Sequence, residues 1–215
     1  MTNPSPAWGG PRWPGAVLAA VVMLAGVRMI TGDDGRTDGP PRPAAADTAA
    51  LGAAATPKPA VRSLPPSPPT RIEIPEISVD APLTGLGRES DDSLQTPPAE
   101  EANLAGWDQA GVTPGSTGTA VVAGHVDTRT GPAVFYGLGA LHKNAKVSVT
   151  RDDGRIADFT VDAVEEYEKD EFPSEQVYRQ ATRAELRLIT CGGAYSKKNG
   201  YSGNTVVYAH LTKVR

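Results

Sequence analysis

From Arg71 to Arg215 the chain is written in short alternating apolar runs, separated at close spacing by turn residues. Ile72, Ile74, Ile77 and Val79 read as extended structure broken by Pro75. Pro82 and Gly85-Leu86-Gly87 supply turns. Thr119 to Ala123 is a short apolar strand. Val147 and Val149 alternate with Ser148 and Thr150, Asp152-Asp153-Gly154 is a hairpin turn, and Phe159, Val161 and Ala163 face inward on the return. Leu186 to Thr190 and Asn204 to Val214 are two further strands. Many short strands joined by turns imply a closed or nearly closed β structure. The intervening segments read as Asp91–Ala105 in a polar loop with one helical turn, and as loop at Gly106-Trp107 and Gly111–Gly118. Thr130-Gly131-Pro132 opens a short helix with Val134, Phe135 and Leu138 on its apolar face. Glu165–Glu171 reads as a solvated acidic loop. Ser174 is placed to cap a short helix through Tyr178.

The N-terminal third has a different composition. Residues 1–14 are rich in Pro and Gly, with Arg12 as the single charge. Residues 15–31 hold an apolar run from Gly15 to Val27, extended past Arg28 by Met29-Ile30. A membrane span needs about 20 apolar residues, so this one is short. A signal peptide, a signal-anchor helix and a buried core helix are the choices. Proline-rich flanks argue against a core helix. Ala44-Ala45-Ala46 lies too far beyond the run for ordinary signal cleavage. An uncleaved anchor is favoured, and Arg12 before it with Asp33-Asp34 after it fits an exported C-terminal part. Residues 32–69, rich in Ala, Pro and Gly, have too little apolar surface to offset their ordering entropy and read as a linker. Residues 70–215 are the folded domain.

A formal net charge of −4 offers no basic field for nucleic acid. A single cysteine, Cys191, excludes an intramolecular disulfide framework and a four-cysteine metal site. Its neighbours, Leu186-Arg187-Leu188-Ile189-Thr190-Cys191-Gly192-Gly193, read as a strand ended by glycines, with the thiol at its end. A free cysteine is often just a buried small hydrophobe. In an exported chain, however, an unpaired thiol is a candidate reactive group. Of the three histidines, His125 also ends a strand beside glycine, in Ala123-Gly124-His125-Val126-Asp127. His142 reads as an exposed connector and His210 as a half-buried packing residue. Their scatter does not suggest a zinc motif. A thiol attacks as its thiolate, and a neighbouring imidazole can take the proton and later protonate a leaving amine. Cys191 and His125 on neighbouring strands would make such a pair.

These residues carry a family resemblance. Leu188-Ile189-Thr190-Cys191 resembles the sortase cysteine signature. Gly124-His125-Val126-Asp127 with Gly131-Pro132-Ala133-Val134-Phe135 resembles the histidine segment of actinobacterial class F sortases. So do Lys169-Asp170-Glu171-Phe172-Pro173, Val177-Tyr178, Cys191-Gly192-Gly193 and Asn204 to Ala209. The resemblance covers about residues 70–215 and implies a mainly β fold, an eight-stranded sortase barrel with short helices and 3-10 turns. It implies a cysteine transpeptidase that needs no cofactor or metal. Its nucleophile is Cys191 and its proton donor and acceptor is His125, with Thr190 lining the site. The implied substrates are surface or pilin proteins with an LPXTG-type sorting signal, cut at Thr-Gly through a thioester. The implied acceptor is an amine of a cell-wall precursor or a protein. The implied location is the cell membrane, with a single pass and an extracytoplasmic catalytic domain.

The chain departs from the family at one place. Sortases carry an arginine early in the last strand, and here Ser202 stands in its position, in Tyr201-Ser202-Gly203-Asn204. Arg129, Arg187, Lys197 and Lys198 are the nearest cations in sequence to the His and Cys segments. Arg129 follows the histidine segment and is a candidate to point into the mouth; Arg187 is on the cysteine strand, further down the same face. A catalytically impaired sortase-like module that binds sorting signals is one alternative. Another is a different cell-wall cysteine transpeptidase, such as an L,D-transpeptidase, though its Ser-x-Gly-Cys context is absent here. The acidic segment at Glu165–Glu171 lacks regular calcium-ligand spacing.

Overall fold

A computed structural model of the chain describes residues 39–45, 61–90 and 93–215. The apolar run at 15–31 and most of the linker lie outside these residues. One compact unit takes in Thr37–Arg215. Among the described residues no helix is long and apolar enough to cross a membrane.

The strands are β1 (Pro69–Ile74), β2 (Val79–Leu86), β3 (Ala105–Asp108), β4 (Gly118–Gly124), β5 (Asp127–Thr128), β6 (Gly131–Pro132), β7 (Lys146–Arg151), β8 (Ile156–Glu168), β9 (Ala184–Ser196) and β10 (Gly200–Val214). Eight of them close a barrel in the order β1-β2-β3-β4-β9-β10-β8-β7, and β5 and β6 form a separate two-stranded sheet. Among the described residues from 61 onward the helical elements are one short helix, α1 (Ser174–Tyr178), and 3-10 turns at Pro75–Ile77, Leu138–Ala140 and Lys169–Glu171. The chain is thus mainly β with short helices, as the alternating pattern requires.

Alternation decides what fills the barrel. Leu186 and Leu188 of β9, Val122 of β4, Val207 of β10, Phe159 of β8 and Val147 of β7 belong to one fully buried core. Each such side chain contributes about 1.5–3 kcal/mol on leaving water. The alternate residues of β8, β9 and β10 face outward, where a second apolar cluster forms. Ala163, Val177, Val206 and Tyr208 are its buried members, with Tyr167, Phe172 and Ile189 packed against them. Val177 belongs to α1, so the β8–β9 connection folds back over the outside of the barrel.

Ordered structure begins before β1. Val61 and Leu64 pack on the core. The Arg151 side chain, itself fully buried, donates to the carbonyls of Pro65 and Pro114 and pairs with Asp153 at 3.2 Å. Residues 61–68, which composition assigns to the linker, are held on the barrel in this way.

Several local expectations are corrected. Gly106-Trp107 lies in a strand whose four residues are all buried, so no alternation marks it. Gly131-Pro132 starts no helix. It forms β6, and the helical turn between it and β7 is Leu138–Ala140. Glu165 to Glu168 are the end of β8, where β10 holds them in register, so only the remainder of the acidic segment leaves the sheet. Ser174 is the first residue of α1; Pro173 takes the cap position and no side chain caps the helix. Finally, Gly192-Gly193 do not end the cysteine strand, which continues to Ser196.

Candidate active site

The site is built from the pairing of β9 with its two neighbours. β4 runs parallel to β9, with Val122 opposite Leu188 and Ala123 opposite Ile189. Two further steps along both strands bring His125 level with Cys191. One step earlier, the ladder is extended by a side chain. The Thr190 hydroxyl, 5% exposed, donates to the Gly124 carbonyl at 2.8 Å. Thr190 therefore ties the residue before the histidine to the residue before the cysteine. Its neighbours explain the choice of Gly124. A Cβ there would lie 2.7 Å from the Phe135 ring and from Val134, which pack directly on the strand end. The His125 carbonyl accepts from the Phe135 amide, which fixes the backbone that follows.

His125 is half-buried. Its Nε2 lies 2.7 Å from the Pro97 carbonyl oxygen. A carbonyl only accepts, so Nε2 carries the hydrogen and Nδ1 is the basic nitrogen. A backbone carbonyl in this role sets the tautomer without adding charge.

Cys191 is exposed on the outer face of the barrel. The protein around the sulfur still desolvates it enough to push the thiol pKa up. The charge of Lys169 acts against that shift, and the charge of Asp127 adds to it. At neutral pH the resting group is then a thiol, which needs a base at the moment of attack. Asp127 is also bound. The Tyr201 hydroxyl donates to it at 2.5 Å, joining the β5–β6 hairpin after the histidine to the β9–β10 hairpin after the cysteine. Burial, then this bond to the carboxylate, pushes the Tyr201 phenol up, so it remains a donor.

The two glycines after the cysteine shape the β9–β10 pairing. Cys191 pairs with Asn204 and Gly192 with Gly203, but Tyr195 pairs with Tyr201. Gly193 and Ala194 therefore stand together against Ser202 in a β-bulge, with Gly193 at φ 82°. That conformation favours glycine. The Ser202 hydroxyl accepts from the Ala194 amide at 3.1 Å, so its oxygen closes the bulge.

The candidate residues are therefore distributed unevenly. Cys191, His125 and Thr190 come together at one end of adjacent strands. Ser202 lies on the cysteine's face but is engaged by the bulge. Arg129 is exposed between β5 and β6 and does not join the group. Arg187 is buried on the outer face, pairs with Glu185 at 2.8 Å and lies over the Tyr208 ring at 4.5 Å. His142 is exposed, and His210 is held by Asp162 at 2.8 Å. Sequence reasoning missed three neighbours of Cys191, namely Asp127, Lys169 and Asn204, whose positions depend on pairing register and on the path of the β8–β9 connection. Among the described residues no cluster of His, Cys, Asp or Glu is arranged to hold a metal ion.

A sortase-domain family model matches residues 72–212, from within β1 to within β10 of the barrel. The chain belongs to the sortase family. The sortase fold is shared with solved relatives at low identity. Sortase A from Listeria monocytogenes matches at 20% identity and TM-score 0.52, over 68% of this chain and 88% of that one. SrtA from Actinomyces oris matches at 19% identity and TM-score 0.53, over 74% and 87%. Sortase C-1 from the same organism matches at 21% identity and TM-score 0.51, over 67% and 73%. No curated protein matches this sortase in sequence. Membership of the family makes it a cysteine transpeptidase by domain and fold, and Cys191 is the one cysteine present for that chemistry.

Proposed function

We propose that this sortase is a class F enzyme, tethered to the membrane through residues 15–31, that works outside the cell on LPXTG-type sorting signals. Cys191 attacks the carbonyl carbon of the Thr-Gly bond and His125 Nδ1 takes the thiol proton. The C–S bond forms as the C–N bond breaks, and the imidazolium returns the proton to the leaving glycine amine. The resulting thioester is resolved by an amine from a cell-wall precursor or from a second protein.

The observation that carries this reading is the β4–β9 register, which brings His125 level with Cys191 while Pro97 holds the proton on Nε2. Two more observations support it. The resting thiol is neutral, which suits a base whose free nitrogen is Nδ1. Ile189, Tyr167 and Phe172 form an apolar surface on the cysteine's side of the sheet, suited to the leucine and proline of a sorting signal. The Ser202 bulge favours a second reading, a sortase-like module that binds the signal without cutting it. It holds no cation where the family has one.

The test uses the full chain in detergent or vesicles with a panel of LPXTG-type peptides and an amine acceptor. Amine-joined product is expected from the wild type and not from Cys191→Ala or His125→Ala. Peptides that bind but remain uncut across the panel would select the binding module.

A further inference from the structure

Acyl transfer to a thiol places negative charge on the carbonyl oxygen of the tetrahedral intermediate, and a hydrogen-bond donor at that oxygen is worth a large share of the rate. Ser202 carries no charge, and the bond its oxygen accepts from Ala194 holds it at the bulge, two residues along β10 from the position opposite Cys191. Arg129 is exposed on another hairpin. Arg187 is buried further along β9 against Glu185 and Tyr208. None of these three side chains stands directly opposite the thiol.

The register supplies one. Asn204 of β10 stands directly opposite Cys191 of β9, and Tyr167 of β8 stands on its other side. Directly paired residues share a face, with their Cβ atoms about 4.5–5.5 Å apart. The Asn204 side chain therefore rises from the sheet beside the thiol. It is half-buried, and its amide has no hydrogen-bond partner among the described residues. Tyr167 does not engage it, because that hydroxyl is bonded to the Tyr208 hydroxyl at 3.0 Å. A polar amide held on a rigid strand, next to the only cysteine and unused by the fold, is a preorganised donor.

We propose that Asn204 is a catalytic residue of this sortase: its side-chain N–H donates to the oxyanion formed when Cys191 attacks an acyl carbonyl. This rests on Cys191 being the nucleophile, as proposed above. In the step, the sulfur lone pair forms the C–S bond and the C=O π pair moves to oxygen, where the amide meets it. When the pair returns, the leaving group departs, with its proton from His125 if it is an amine. No change in charge is needed at Asn204, so the amide serves at any pH at which the sulfur attacks.

The test compares two reagents on the full chain and on Asn204→Ala and Asn204→Asp. p-Nitrophenyl acetate acylates Cys191 through an oxyanion and releases p-nitrophenolate. Iodoacetamide alkylates the same sulfur by displacing iodide and forms no oxyanion. Loss of an oxyanion donor costs about 10²–10³ in rate on an amide, and an activated ester should lose at least about tenfold. Both variants are expected to show that loss in the p-nitrophenolate burst; alkylation should stay within about twofold of wild type in Asn204→Ala, and in Asn204→Asp when rates are compared at a pH where each thiol is fully ionised, because the added carboxylate raises the thiol pKa. Equal losses in both reactions would mean that Asn204 shapes the cysteine's surroundings instead, and overturn the proposal. So would an unchanged ester burst. An arm with the sorting peptides keeps the two readings apart. Wild type that is acetylated normally, but cuts no peptide, removes the sorting-signal function and leaves the role of Asn204 to the ester result.

Discussion

Replacing Thr190 with valine removes one hydroxyl and keeps the shape of the side chain. That hydroxyl bonds the Gly124 carbonyl at 2.8 Å, one step beyond the last backbone pairing of β4 with β9. The valine variant loses the bond and leaves Gly124 without that donor. A buried unsatisfied carbonyl costs about 1–3 kcal/mol. Gly124 is half-buried and partly open to water, which places the cost near the lower end, about 1–2 kcal/mol. At roughly 2–4 °C per kcal/mol for a domain of this size, the melting temperature should fall by about 2–8 °C. The larger effect should be on chemistry, because the bond holds the residues just before His125 and Cys191 at a fixed separation. A misplacement of about 1 Å can cost on the order of 10²-fold in rate. Thr190→Val should therefore lose at least about tenfold in acylation by p-nitrophenyl acetate while retaining a cooperative urea transition. Thr190→Ser keeps the hydroxyl and should recover most of the rate. A valine variant matching wild type in both urea midpoint and acylation would refute the reasoning, as would a serine variant as slow as valine.

Three other perturbations have outcomes set by the same site and barrel. Desolvation raises the Cys191 thiol pKa, so its iodoacetamide rate against pH should have a midpoint above the free-thiol value of about 8.5. A raised value means less thiolate at any given pH. Lys169→Ala should move the midpoint further up and Asp127→Asn should move it down, as read by mass-spectrometric alkylation rates. Gly193→Ala puts an alanine at φ 82° and its Cβ 2.5 Å from the Ser202 oxygen. It should lower stability by at least about 1–2 kcal/mol in urea unfolding, with Gly193→Asn milder. Arg151→Met strips the donors from the Pro65 and Pro114 carbonyls. At about 1–3 kcal/mol for each carbonyl, it should cost about 2–6 kcal/mol, and calorimetry should show the loss with no change in the Cys191 alkylation rate per folded molecule.

Much of the barrel was legible because one-sided strands write a period of two into the sequence. β7, the first half of β8 and the inward residues of β9 show that period plainly; Ala163, expected to face inward with Phe159 and Val161, is instead turned to the outer cluster by a register shift in β8. β3 does not, since Ala105 to Asp108 are buried on both faces and a strand buried on both sides loses its alternation. The cysteine and the histidine stood out by chemistry, each beside glycine in an apolar run. What the glycines do was not legible. A Gly-Gly after a strand looks the same whether it ends the strand or kinks it, and only the Ser202 partner shows it to be a bulge. Asn204 was hidden for the same reason. In sequence it is one polar residue at the start of the last strand, and its meaning comes from standing opposite Cys191. The acidic end of β8 read as loop because charge suggests solvent. The residues of β10 from Gly203 to Val206 nevertheless hold Glu165 to Glu168 in the ladder.

In the proposed reaction Cys191, served by His125, forms a covalent acyl intermediate with a sorting-signal peptide. The most direct measurement is the intact mass of the full chain after mixing with an LPXTG-type peptide and rapid acid quench, followed by hydroxylamine. The expected result is an added mass equal to the peptide up to its threonine, located on Cys191 and released by hydroxylamine as a thioester should be. No adduct is expected in Cys191→Ala, and a slowly formed one in His125→Ala. Cleaved peptide with no adduct at any quench time, or an adduct that survives in Cys191→Ala, would contradict the proposed reaction.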